Sequence, residues 1–210
     1  MGNRANIYFQ TFFRPERSFA KLLQTEKPII EGFTFILIPV LGYSLMYVFL
    51  TIAHGAPSVF TPWLNISKET YYSTNRFLLA PSMILCWFFV SAYVQVISKL
   101  QKGSGSFEQT LLILALSISI SMWGGLIHDL PMSFLSATGV IDARQHEIDM
   151  NSPTIFRTLL WICYSIYFLA FSILFPTAVR VVHQLSWAKS IWIGLSAFVF
   201  FQLLFLLFNR

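Results

Sequence analysis

Five long stretches of this chain contain no Asp, Glu, Lys, Arg or His: Gly32–Ala53, Phe77–Ser98, Gln109–Ile127, Thr158–Val179 and Ser190–Asn209. Each is about 20 residues, the length at which an α-helix crosses the ~30 Å hydrocarbon core of a bilayer. A charged side chain at the middle of such a helix costs roughly 2.5–3.5 kcal/mol. A chain of 210 residues that is 56% hydrophobic and 11% charged cannot build a soluble surface. In lipid the chain must satisfy its own backbone amides, which leaves helices or a closed barrel. Barrel strands alternate apolar and polar residues over about 10 positions, whereas these stretches are apolar throughout. The expected fold is all-α, a polytopic integral membrane protein with five transmembrane helices.

Residues 1–31 read as a cytoplasmic N-terminal segment and 32–210 as one five-helix membrane domain, with spans at about 32–53, 77–98, 107–130, 158–179 and 188–209. The leading segment is mixed and polar and lacks the apolar core of a cleavable signal, so the first span doubles as the insertion signal. Pro15 suits a first helical turn, and Phe12, Phe19, Leu22 and Leu23 fall on one stripe with Arg17, Lys21 and Gln24 away from it. That pattern predicts an interfacial amphipathic helix within residues 8–26. Arg4, Arg14, Arg17, Lys21, Lys27, Lys99, Lys102, Arg180 and Lys189 lie on one side of the membrane. Fewer basic residues face them: Lys68, Arg76, Arg144, Arg157 and Arg210. The richer side is expected to be cytoplasmic, with the C-terminus outside. Such a face suits the headgroups of membrane lipids, and no dense basic motif for nucleic acid is present.

The segment between the second and third spans is short enough to demand a helical hairpin. Gly103 is placed to end one helix and Ser104 or Ser106 to cap the next, with Glu108 in its first turn. Ser117, Ser121, Gly124 and Gly125 are small residues that let helix backbones approach, making the third span the candidate centre of the bundle. Residues 54–76 and 128–157 read as outside loops, the first holding the aromatics Phe60, Trp63, Tyr71 and Tyr72. Ser152-Pro153 is the expected start of the fourth helix. His128, Asp129, His146, Glu147 and Asp149 are metal-ligand types, but their spacing matches no metal motif and a solvated acidic loop is expected. Arg180 and His183, three residues apart at the cytoplasmic edge, read as span anchors. No nucleophile–base pair or phosphate loop emerges, so no catalytic residue, cofactor or metal is assigned.

Three stretches resemble the Yip-domain family of Ypt-interacting membrane proteins, in its prokaryotic type. They are Arg14-Pro15-Glu16-Arg17-Ser18-Phe19 before the first span, Gly103-Ser104-Gly105-Ser106-Phe107 opening the third, and Val182-His183-Gln184-Leu185-Ser186-Trp187-Ala188-Lys189-Ser190 turning into the last. The resemblance implies a five-span membrane adaptor without a chemistry of its own. Eukaryotic relatives associate with prenylated GTPases, much of the contact lying in a long cytosolic N-terminal region, and the short segment ahead of the first span here leads to the expectation of a prokaryotic-type member instead. The expected function is therefore a non-enzymatic scaffold or adaptor in a prokaryotic cytoplasmic membrane, with membrane lipids and membrane or cytoplasmic proteins, itself included, as partners. Its candidate contact surface comprises Phe12, Phe19, Gly103, Gly105, Phe107, Arg180 and His183. The alternative is a small permease or channel for an uncharged or lipid-like solute. A third reading, an intramembrane enzyme at His128–Asp129, requires a bound metal.

Overall fold

The computed structural model describes residues 2–57 and 65–209, with side chains from residue 5 onward. The loop aromatics Phe60 and Trp63 lie outside the described residues. Among the described residues the regular elements are all helical: α1 Gly2–Thr11, α2 Pro15–Leu22, α3 Pro28–Ile52, α4 Tyr71–Leu100, α5 Phe107–Ser121, α6 Trp123–Ala137, α7 Ala143–Asn151, α8 Ile155–His183 and α9 Trp187–Phe208. The helices α3, α4, α8 and α9 are each long and apolar enough to cross a membrane. Together α5 and α6 pass the same test, bent by 48° at Met122. Among the described residues there are thus four membrane-capable helices, or five spans if the bent pair is one.

The third uncharged stretch is a broken helix rather than a straight one. Gly124 and Gly125 follow the break, and glycine weakens helix continuity. Beyond it α6 runs on to Ala137, and α7 occupies much of the remainder, so residues 128–157 are mostly helical rather than loop. The fourth long helix starts later than Ser152-Pro153 predicts. Thr154 is its N-cap, accepting from Arg157 N at 3.3 Å, while its own hydroxyl reaches back to Asp149 O. A threonine with both partners in reach outcompetes a serine whose hydroxyl bonds Ile148 O.

The segment ahead of α3 is two helices, not one. Pro15 takes the first position of α2 as expected, and the same ring prevents α1 from continuing, with Arg14 at φ −141° outside the helical region. Phe12 therefore sits in the break and is 48% exposed, while Phe19 and Leu22 of α2 are buried. The predicted apolar stripe is therefore divided, with Phe12 in the break and Phe19 and Leu22 on α2.

In the centre stands α5. Every residue from Thr110 to Met122 is buried, with α3, α8 and α4 packed around it. Lipid tails are as apolar as leucine, so this enclosure rests on close packing and interhelical hydrogen bonds rather than on exclusion of water. A Cβ on Gly32 would lie 3.2 Å from Leu112 Cα, which shows how near α3 approaches α5. Trp87 of α4 donates to Leu111 O at 2.9 Å. From α1, Tyr8 reaches Ser119 Oγ at 2.9 Å and accepts from Trp123 Nε1 at 2.7 Å, its ring stacked on Phe35. Between α8 and α9, Phe171 stacks on Phe198 and Phe201, with centroids 4.9 and 5.2 Å away. Polar clasps complete the bundle: Gln202 to Tyr167, Tyr93 to Ser196, and Asn209 to Ser82.

Candidate functional site

The chain offers two ends with distinct chemistry. At the basic end, α8 finishes at His183 and Gln184 turns left-handed at φ 55°. The 101–106 segment lies directly against that terminus. Ser104 N donates to His183 O at 3.1 Å. A Cβ at Gly103 would come within 2.9 Å of His183 Cβ and of Ser98 O, and one at Gly105 within 2.6 Å of Val182 O. Both glycines are therefore demanded by close approach.

His183 Nε2 lies 3.1 Å from Thr110 Oγ1, whose hydroxyl donates to Gln95 Oε1 at 2.8 Å, and Gln95 Nε2 donates to Gly105 O at 3.1 Å. With the threonine proton engaged, the imidazole donates through Nε2. The result is a closed knot tying α4, α5, α8 and the hairpin turn. The Ser106 cap completes it: its hydroxyl accepts from Gln109 N while the Gln109 side chain accepts from Ser106 N.

The residues predicted as a cytoplasmic contact surface thus divide. Gly103, Gly105 and His183 meet one another inside the protein, and Phe19 is buried in α2, which packs on α8. Phe12 is exposed, and Phe107 is half-buried with its ring edge-on to Phe88. Arg180 is partly exposed, its guanidinium 4.4 Å over the Trp187 ring and its Nε 3.6 Å from Glu16. Of the packing candidates, Ser117 bonds Ile113 O, Gly124 abuts the Tyr167 backbone and Gly125 faces the Tyr43 hydroxyl. Ser121 is buried in α5.

At the opposite end, α7 folds back toward α6 and α8 and helps to enclose a cavity of about 470 Å³. Asp142 starts α7 by accepting from Gln145 N at 2.8 Å. The cavity walls include His128, Asp129, His146, Glu147, Arg157 and Tyr164. His128 is buried, its Nδ1 2.8 Å from Asp129 Oδ1 and its Nε2 without a hydrogen-bond partner. The His128 and His146 rings lie 5.9 Å apart, and Phe156 meets His146 edge-on. Burial pulls the His146 pKa below its usual value and the neighbouring His128 adds to this, against the opposing pull of Glu147, Asp149 and Asp129.

Sequence reasoning took these groups as a solvated loop, because the two histidines meet only through the extension of α6 and the fold-back of α7. Among the described residues, no three His, Cys, Asp or Glu side chains stand together so as to hold a metal ion. The Yip1 domain family model matches residues 9–208 of this chain. No curated protein and no solved structure gives a significant match.

Proposed function

The chain belongs to the Yip1 domain family, and from that premise we propose that it is a non-enzymatic integral membrane scaffold or adaptor working at its basic end. The observation that carries this reading is the filled interior: α5 is buried from Thr110 to Met122, and the pairs Tyr93–Ser196, Tyr167–Gln202 and Ser82–Asn209 clasp neighbouring helices. A solute path would need a wet face along α5, and the close packing argues against one.

The surface chemistry of the basic end supports the same reading. Phe9, Phe12 and Phe13 are exposed at the α1–α2 junction beside Arg14 and Arg17. Aromatic rings next to basic side chains favour the headgroup layer of anionic lipid, each basic residue adding about 1 kcal/mol. In this proposal α2 lies at the interface and five spans cross a prokaryotic cytoplasmic membrane with the N-terminus inside. Partner proteins meet Phe12, Phe107 and Arg180, while Gly103, Gly105, His183 and Phe19 shape that surface from beneath.

Photo-crosslinkers at Phe12 and Ser104 in native membranes are expected to capture one recurring protein or lipid. Capture of random neighbours alone overturns the adaptor reading. Cysteine labelling along α5 in a cysteine-free background tests the permease reading, and blocking of those sites by a solute would establish it instead.

A further inference from the structure

The cavity at the end opposite the basic face carries a pattern that the adaptor reading does not use. His128 and Met132 stand one turn apart on α6, and His146 and Met150 one turn apart on α7. Residues four apart share a helix face, and all four line the same cavity, with Met46 of α3 beside them. Two His-x-x-x-Met pairs on neighbouring helices therefore aim two imidazoles and two thioethers at one space.

His128 is set up as a ligand. Its Nδ1–H donates to Asp129 Oδ1 at 2.8 Å, and its Nε2 is buried without a hydrogen-bond partner. A carboxylate holding one imidazole nitrogen so that the other binds an ion is the usual outer-sphere arrangement of metal histidines. The His128 and His146 rings are stacked, with centroids 5.9 Å apart and planes 23° from parallel, so both imidazoles are held at the same wall of the cavity.

We propose that this cavity binds one Cu(I) ion through His128, His146, Met132 and Met150. Thioethers are soft ligands that favour Cu(I) over harder divalent ions. Imidazole and thioether bind a metal as neutral groups, and the Asp129 carboxylate beside His128 balances the charge of a monovalent cation. Asp129 is a positioning residue: it fixes the imidazole tautomer without touching the ion.

The test uses the full-length protein purified in detergent, given Cu(I) under reducing, anaerobic conditions and challenged with a chromogenic Cu(I) chelator. One ion per chain is expected to be retained, with X-ray absorption showing both nitrogen and sulfur scatterers. Met132→Leu with Met150→Leu conserves volume, so the fold should persist while the chelator strips the ion and the sulfur signal disappears. Asp129→Ala should weaken retention by about 10–100-fold. No retained ion, retention unchanged by the leucine pair, or nitrogen and oxygen scattering alone overturns the proposal. If the leucine variant fails to fold, the scattering from the unaltered protein decides by itself. The outcome is independent of whether the basic end acts as an adaptor.

Discussion

Gly124 and Gly125 are adjacent in α6 yet meet different obstacles, so the pair tests how closely this bundle is packed. A Cβ on Gly124 would lie 2.6 Å from Tyr167 N and 2.7 Å from its Cα and Cβ, whereas one on Gly125 would meet the Tyr43 hydroxyl at 2.7 Å. The hydroxyl is the far end of a side chain that can swing aside, and a helix backbone cannot. Both alanine substitutions gain the same roughly 0.8–1.0 kcal/mol of helix propensity. For Gly124→Ala, opening 2.6 Å to an ordinary 3.4 Å contact requires α6 and α8 to part by about 0.8 Å.

A gap of that size forfeits about a quarter to a half of each ~0.1–0.2 kcal/mol contact across the crossing. Over some tens of atom pairs this amounts to about 1–3 kcal/mol, the usual range for overpacking. Gly124→Ala is therefore expected to be less stable than Gly125→Ala by about 1–3 kcal/mol, the shared propensity gain cancelling in the comparison. Denaturant titration in mixed micelles, followed by tryptophan fluorescence, measures the difference. Equal stability, or the reverse order, would refute the claim that backbone approach at Tyr167 sets the α6–α8 distance.

Tyr8→Phe removes the acceptor of Trp123 Nε1 and the partner of Ser119, costing about 1–3 kcal/mol for the donor left unpaired. Faster trypsin cleavage at Arg17, Arg14 being protected by the proline that follows it, should report the loosened N-terminal helices. Ser106→Ala breaks a reciprocal capping box and should cost about 0.5–2 kcal/mol. Ser186→Ala, at an N-cap with no side-chain bond, should leave the unfolding midpoint nearly unchanged. Gln202→Leu loses the bond to Tyr167, yet interhelical hydrogen bonds in membranes average about 0.6 kcal/mol. Its unfolding midpoint should therefore move less than that of Tyr8→Phe.

The membrane architecture was legible because lipid imposes a length and a prohibition on charge, and both are written locally. Pro15 at a helix start and Ser106 as a cap followed from short-range chemistry for the same reason. The break at Met122 was not legible: hydropathy adds up residues without regard to axis direction, and Gly124 and Gly125 read equally well as close-packing positions in a straight helix. The knot around His183 joins residues 73 apart through Thr110, so His183 read alone as an anchor. The His128–His146 cavity was hidden because α7 is polar overall and carries no apolar period, holding its place through the Asp142 cap and contacts with α6 and α8.

The enclosure of α5 also bears on how the molecule is made. The ribosome delivers α5 before α8, so one wall of its cage does not exist when it enters the bilayer. Its apolar side chains are at home among acyl chains, which lets it wait there at little cost. Its serines are less comfortable, and Ser119 reaches its partner only when the N-terminal helix is in place. Closure is then a late event in which α8 displaces lipid from α5. A nascent chain stalled before Ile155 would present to the bilayer a face of α5 that α8 covers in the finished protein.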